Sequence, residues 1–396
     1  MKMTGHYLDN SATTMPSDAA REAINNALEV WGNPSSVHSL GQNAAALLRE
    51  CRASVAKTFG MPKFTADRLI FTSCGTESNA IAILGCAHSK KRDPLNPGTV
   101  ILSAGEHSSV EKCAAQLEAE GYTAVRVPTV GGVLDLDYLK EAVENAQSPV
   151  IVAAFMLVNN ETGALYDVKK AAQIVKAKYP DALVHCDAVQ GYMKTRFTPY
   201  TLGVDTLTVS AHKIHSIRGA GALFISAEAV KRKNIVTIAP GGGQESGLRS
   251  GTENTVSIAA FAAAATDSFG HYAENRAKVE ELRAYLDSSL AERCPTVRQN
   301  RPSGEFVPNI CSIVVSEVRS ETMLNYLSSR EVYVSAGSAC SAHSKKKSSA
   351  LEAFGVSPDS ADSTLRVSLS YMNTADDIDA LVDGLAAGIA TLQKKR

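Results

Sequence analysis

The chain has 396 residues, 44% hydrophobic and 20% charged, the balance of a soluble globular protein long enough for two domains. Lys and Arg number 40 against 41 Asp and Glu, a formal charge of -1 that argues against a general nucleic-acid binder. The 8 cysteines form no CxxC pair and no His–Cys zinc spacing, so no metal site or disulfide framework is expected, and free thiols point to a reducing cytoplasm.

The first residues, MKMTGHYLDN, lack the apolar core of a secretory signal. The longest apolar runs, VIVAAFMLV (150–158) and IAAFAAAA (258–265), are too short to span a bilayer, so no membrane association is expected. From about Asp18 to Ala265, short apolar runs alternate with amphipathic stretches. LIFTS (69–73) leads into a helical pattern from Glu77 to about Lys91, and TVILS (99–103) into one from Ser109 to about Glu120. VIVAAFMLV is too apolar for a surface strand and reads as central; ALVHCD (182–187), DTLTVS (205–210) and GALFIS (221–226) complete the set. Such alternation predicts an α/β fold with a mainly parallel sheet covered on both faces. Beyond it come a Lys/Glu-rich helix over about 272–293, a turn-rich stretch, ICSIVVS (310–316) and a helix over 320–330. A short strand near Val332, a long loop, TLRVSLS (364–370) and a helix from Ala375 follow, and together these read as a smaller α+β domain.

The strand ends carry the candidate chemistry. In FTSCGTESNAIAI (71–83) a strand turns at a glycine into a helix N-terminus, which suits a phosphate but is equally an ordinary helix start capped by Thr76. Asp187 ends ALVHCD, where it could hold a cationic ring nitrogen or merely cap a helix. Lys213, in VSAHKIHS, is either a solvated strand end or an amine able to capture a carbonyl. Phosphate cradle, carboxylate and lysine, each at a strand end, form the set that pyridoxal phosphate needs. His107 in AGEHSSV could stack on a flat ring or move a proton, or be a satisfied loop histidine. Cys340, in SAGSACSAHSKKKSS (335–349), is expected to be exposed in a mobile loop, whereas Cys86 and Cys311 read as buried and inert. Arg366 sits among apolar neighbours, for capture of a carboxylate or in a structural ion pair.

In order along the chain stand YLDNSATT, GNPSSVH, FTSCGTES, EHSSV, NNETG, HCDAVQ, SAHK, GGGQESGLRSGT, SAGSAC and LRVSLS. Over nearly its whole length the sequence resembles the pyridoxal-phosphate cysteine desulfurases of the class-V aminotransferase group, in the branch with a long loop around the catalytic cysteine. The resemblance implies a fold-type-I homodimer whose large cofactor-binding domain (15–256) holds a seven-stranded sheet. The small domain (1–14 and 257–396) would carry the cysteine loop. It implies that Lys213 carries the cofactor, that His107 stacks on its ring and that Asp187 pairs with the ring nitrogen. Gln190 and Asn160 would contact the ring oxygen and the substrate side. Gly75, Thr76, Ser210 and His212 would hold the phosphate with Thr252 of the partner subunit, and Arg366 with Asn33 the substrate carboxylate. Cys340 would accept sulfur from L-cysteine and pass it to an acceptor protein, an iron–sulfur scaffold or a tRNA-thiolating enzyme. Cys74, Ser216-Ile217 and Ser370-Tyr371 depart from the usual residues without removing a catalytic group. The alternatives are a selenocysteine lyase, another class-V enzyme, or a non-catalytic sulfur relay. Cys340 argues against an aminotransferase, and intact Lys213, Asp187 and Cys340 argue against a relay.

Overall fold

Seven strands make the main sheet: β1 (Arg68–Thr72), β2 (Thr99–Ser103), β3 (Thr123–Val127), β4 (Val150–Met156), β5 (Leu183–Asp187), β6 (Thr206–Ser210) and β7 (Gly221–Ile225). They come from a computed structural model, which describes residues 5–63, 68–89, 97–336 and 349–392; Cys340 and the loop expected around it lie outside the described residues. The spatial order is β1-β7-β6-β5-β4-β2-β3, parallel except for β7, which runs against both its neighbours. The C-terminal ends of β1, β2, β4, β5 and β6 therefore open on the same edge, where ligands of such sheets bind.

All seven residues of β4 are buried. Its apolar run without alternation is what a strand covered on both faces requires. By contrast β3 was not apparent in the sequence: TAVRV lies at the sheet edge, its first four residues not fully buried, so it lacks the apolar signature of the inner strands.

One face of the sheet is covered by α1 (Asp18–Leu28), α2 (Ser39–Thr58) and a later helix, α5 (Thr255–Gly270); Phe59, Phe155 and Phe261 are fully buried among them. Burying a side chain of that size is worth about 1.5–3 kcal/mol each. The other face carries α3 (Gly75–Ser89) and α4 (Ser108–Ala119), packed through Ile81, Leu102 and Leu117. Ten of the 15 residues of α3 are buried, so it shows no amphipathic stripe, as expected of a helix enclosed on all sides. It also starts at Gly75, not at Thr76 or Glu77. The cap expected from Thr76 is replaced by the Glu77 carboxylate, which reaches back to accept the Ser73 N–H.

A second, antiparallel sheet has the order β8 (Val297–Gln299), β9 (Ile310–Val315), β11 (Thr364–Ser368), β10 (Ser335–Ala336). With α6 (Tyr272–Arg293) and α7 (Ala375–Leu392) it encloses its own core around Leu286, Ile313, Leu365 and Leu385. Leu8, from the N-terminal segment, joins that core, which carries residues 9–14 across to the edge of the main sheet. Among the described residues, no helix is long and apolar enough to cross a membrane.

Candidate active site

The register of the sheet sets one wall of the site. Gly221 of β7 pairs with Thr72 on one side and Ser210 on the other, so the two strand ends lie level. A Cβ at Gly221 would stand 2.8 Å from the Cys74 carbonyl carbon and 3.0 Å from the Val209 oxygen, so only glycine lets the ends approach this closely. A cavity of about 360 Å³ opens there. Gly75, Thr76, Ser210 and His212 line one end. The Ser210 hydroxyl is buried with no partner, and a Cβ at Gly75 would come within 2.9 Å of Val189. An unpartnered hydroxyl beside the N–H groups of a helix start is a donor set for a phosphate-sized anion. His212 is held neutral, its pKa pushed down to about 4 by burial and by Lys213, so it contributes hydrogen bonds and no charge.

Lys213 ends a single 3-10 turn (Ala211–Lys213) that directly follows β6. Its Nζ donates to the carbonyls of Ser11 at 2.5 Å and Ala12 at 2.9 Å, so the N-terminal segment holds the amine against the cavity. Asp187, 6% exposed, accepts from Val189 N–H at 3.0 Å and from Asn79 Nδ2 at 2.8 Å. Asp187 thus caps a turn, not the expected helix, and lines the cavity. Gln190 donates to the Ser11 carbonyl at 2.9 Å and accepts from Lys194 Nζ at 2.5 Å. Burial, and then Lys213 and Arg366, push the Lys194 amine down to about 7.

His107 is the N-cap of α4, its Nδ1 accepting from Ser109 N–H at 3.2 Å, and its ring lines the cavity. Burial lowers its pKa, with Asp187 opposing and Lys213 adding to the shift. Arg366, on β11, comes from the second sheet. It donates through Nη2 to Asp9 at 2.9 Å and through Nη1 to the Asn160 carbonyl at 3.1 Å, while Nε is buried without a partner. Arg366 is therefore in an ion pair with Asp9 and also lines the cavity.

The structure brings Lys213, His107, Asp187, Gln190, Asn160, Gly75, Thr76, Ser210, His212 and Arg366 to one cavity. Asn33 and Thr252 are not among its lining. Asn33 is exposed, its side chain accepting from Ser35 N–H at 2.9 Å, and Thr252 is exposed beside Arg249 and Glu253. Cys86 and Cys311 are buried, as expected. Sequence reasoning missed Asn79, Ser109, His185, Lys194 and Glu106. One signal was available: Asn79 follows Gly75 by four residues and so shares its helix face. Lys194 gave none, since a lysine after GYM reads as solvated.

Glu106 is 4% exposed and directly precedes His107. One of its oxygens accepts from the Ser103 hydroxyl and from Met156 N–H, and the other has no partner. Burial, with Asp187 nearby, raises it to about 8 from the ordinary 4.5. The folded state then holds a proton the unfolded chain releases. Its contribution is full below about pH 4.5 and is lost as pH rises towards 8. Glu106→Gln should abolish that dependence. Melting temperatures of the two proteins should diverge across this window and run parallel above it; parallel curves throughout would show that Glu106 does not titrate with folding.

The model of the family "Aminotransferase class-V" matches residues 6–381. Among curated relatives, a "NifS/IcsS protein homolog" of Lactobacillus delbrueckii is 34% identical over 95% of both chains. The "Cysteine desulfurase NifS" of Azotobacter vinelandii is 31% identical over 99% of this chain and 94% of its own. Among solved structures, a NifS-like protein from Rickettsia africae superposes with a TM-score of 0.87 at 29% identity, over 98% of this chain and 99% of the other.

Proposed function

The chain belongs to the class-V aminotransferase family, and from that premise we propose that it is a pyridoxal-phosphate-dependent cysteine desulfurase, converting L-cysteine to L-alanine and moving the sulfur to an acceptor protein. The observation that carries this reading is the meeting of Lys213, Asp187, His107 and Arg366 around one cavity with an anion-suited end. Pyridoxal phosphate, when bound, supplies an aldehyde for the substrate amine and a sink for the electrons left at Cα.

Lys213 would hold the cofactor through Nζ, and Gly75, Thr76, Ser210 and His212 would take its phosphate. Asp187 would keep a proton on the ring nitrogen. Arg366, through its unpartnered Nε, would orient the cysteine carboxylate. Released by the incoming amine, Lys213 Nζ would remove the α-proton. The Cys340 thiolate would take the sulfur, so that cysteine and a thiol become alanine and a persulfide. Thr252 and Asn33, exposed in one chain, suit contributions across a homodimer interface. Lys345 to Lys347, close after Cys340, suit an acidic acceptor surface, an attraction that salt would screen. The free thiols suit the cytoplasm.

The test is direct: the purified protein given L-cysteine and a reductant should release alanine and sulfide in equal amounts, and faster than it turns over selenocysteine. No alanine, or a clear preference for selenocysteine, overturns the reading. Within it, Asp187→Ala removes one partner of a buried charge pair, a loss of about 3–5 kcal/mol, or roughly 10² to 10⁴ in rate. Single-turnover alanine formation should slow by that factor; a near-normal rate would reduce Asp187 to its cap on Val189.

A further inference from the structure

His107 and Asp187 are joined by a chain of buried side chains running from the cavity wall into the sheet, through Ser109, Asn79, His185 and Thr206, four residues to which the proposed chemistry gives no role. Thr206 Oγ lies 2.9 Å from His185 Nδ1, and His185 Nε2 lies 3.0 Å from Asn79 Oδ1. Asn79 Nδ2 is 2.8 Å from both Asp187 Oδ2 and Ser109 Oγ, and Ser109 Oγ is 2.8 Å from His107 Nδ1. Thr206 and His185 are 0% exposed, Asn79 1% and Ser109 8%, so water does not compete along this path.

The direction of every bond can be counted from its two ends. A carboxylate oxygen only accepts, so the Asn79 atom facing Asp187 is the amide nitrogen. Its two hydrogens are then spent on Asp187 and Ser109, and Asn79 Oδ1 must accept from His185 Nε2. Burial pushes His185 down to about 4, so its ring carries one proton, on Nε2, and Nδ1 accepts from the Thr206 hydroxyl. At the other end, the Ser109 hydroxyl receives the Asn79 hydrogen and gives its own to His107 Nδ1. The Ser109 backbone N–H, which cannot reverse, points at the same nitrogen from 3.2 Å.

We propose that Asn79 and Ser109 are positioning residues that fix the tautomer of His107, leaving Nδ1 as a doubly engaged acceptor and placing the ring proton on Nε2, the nitrogen left to the cavity. His107 then meets the substrate as an N–H donor and acid, and the basic role falls to Lys213. This deepens the desulfurase reading and rests on it for the identity of the substrate, while the tautomer is a property of the chain itself. The same amide holds Asp187 Oδ2, so one side chain sets the orientation of both groups.

The test uses the full-length protein labelled with ¹⁵N-histidine, and two-bond ¹H–¹⁵N correlation spectra near pH 7, with the His107 signals assigned by their loss in His107→Gln. The expected wild-type pattern is a protonated Nε2 and a bare Nδ1 for both His107 and His185. Ser109→Ala keeps the backbone N–H but removes one of the two donors to Nδ1, so the His107 Nδ1 resonance should move towards that of an unbonded ring nitrogen while the His185 signals stay put, and Ser109→Thr, which keeps the hydroxyl, should restore the wild-type position. Asn79→Ala should disturb both rings. An Nδ1–H form of His107 in the wild type overturns the proposal, and so does a His107 Nδ1 resonance that does not move in Ser109→Ala, or a threonine variant that behaves like alanine. Cysteine turnover is measured separately: its absence in the wild type counts against the desulfurase reading and leaves the spectra to decide the tautomer.

Discussion

Lys213→Ala is expected to give a folded, colourless protein with no measurable turnover. Removal of a general base alone costs about 10²- to 10⁴-fold, and the same amine is proposed to hold the cofactor. The substitution also strips the donor from the Ser11 and Ala12 carbonyls, which should lower stability by about 1–3 kcal/mol without unfolding the chain. Lys213→Arg separates the two roles, since a guanidinium can bond those carbonyls but cannot form the cofactor linkage. The structure names the competitor. Lys194 has an amine that burial, Lys213 and Arg366 push down to about 7, and it shares a second, smaller cavity with Lys213. Borohydride fixation of the wild type, followed by peptide mass spectrometry, should put the cofactor on Lys213. Fixation on Lys194, or a Lys213→Ala protein that stays yellow, would move the role.

What the sequence made legible follows from where chemistry meets chain order. Asp187, Lys213 and the Gly75–Thr76 turn each follow directly from an apolar run, so the strand end that presents them can be read locally. Arg366 could be read only as an arginine among apolar residues, because its partner Asp9 is more than 350 positions away and reaches it through the N-terminal segment. The same holds for the carbonyls that seat Lys213. Asn79, Ser109 and His185 escaped for another reason. Each is an ordinary polar residue whose role comes from a neighbour on a different element, and only donor and acceptor counting across α3, α4 and β5 gives them a direction. The edge strand β3 was hidden because its pattern is that of a half-exposed surface, where a helix or loop is equally plausible.

Cys340→Ser should part sulfur transfer from everything that precedes it. The variant is expected to keep the cofactor colour and to bind cysteine, since Lys213, Asp187 and the phosphate end are untouched. It should form almost no alanine. Sulfur leaving cysteine must be taken by a thiolate, and a serine hydroxyl at neutral pH offers no comparable nucleophile. The other thiols compete poorly. Burial lifts Cys51 and Cys113 to about 11, and Cys186 is raised well above its ordinary range. Cys74 is half-buried and lines the cavity, which makes it the thiol to watch. Cys340 has a positional argument in its favour. It follows the end of β10 by four residues, and β10 pairs with β11 at Arg366, the group proposed to hold the substrate carboxylate. Mass spectrometry after a single turnover should therefore find the extra sulfur on the peptide containing Cys340 in the wild type and on no peptide in the variant. Extra sulfur on Cys74, or alanine released by Cys340→Ser at the wild-type rate, would transfer the acceptor role to the cavity thiol.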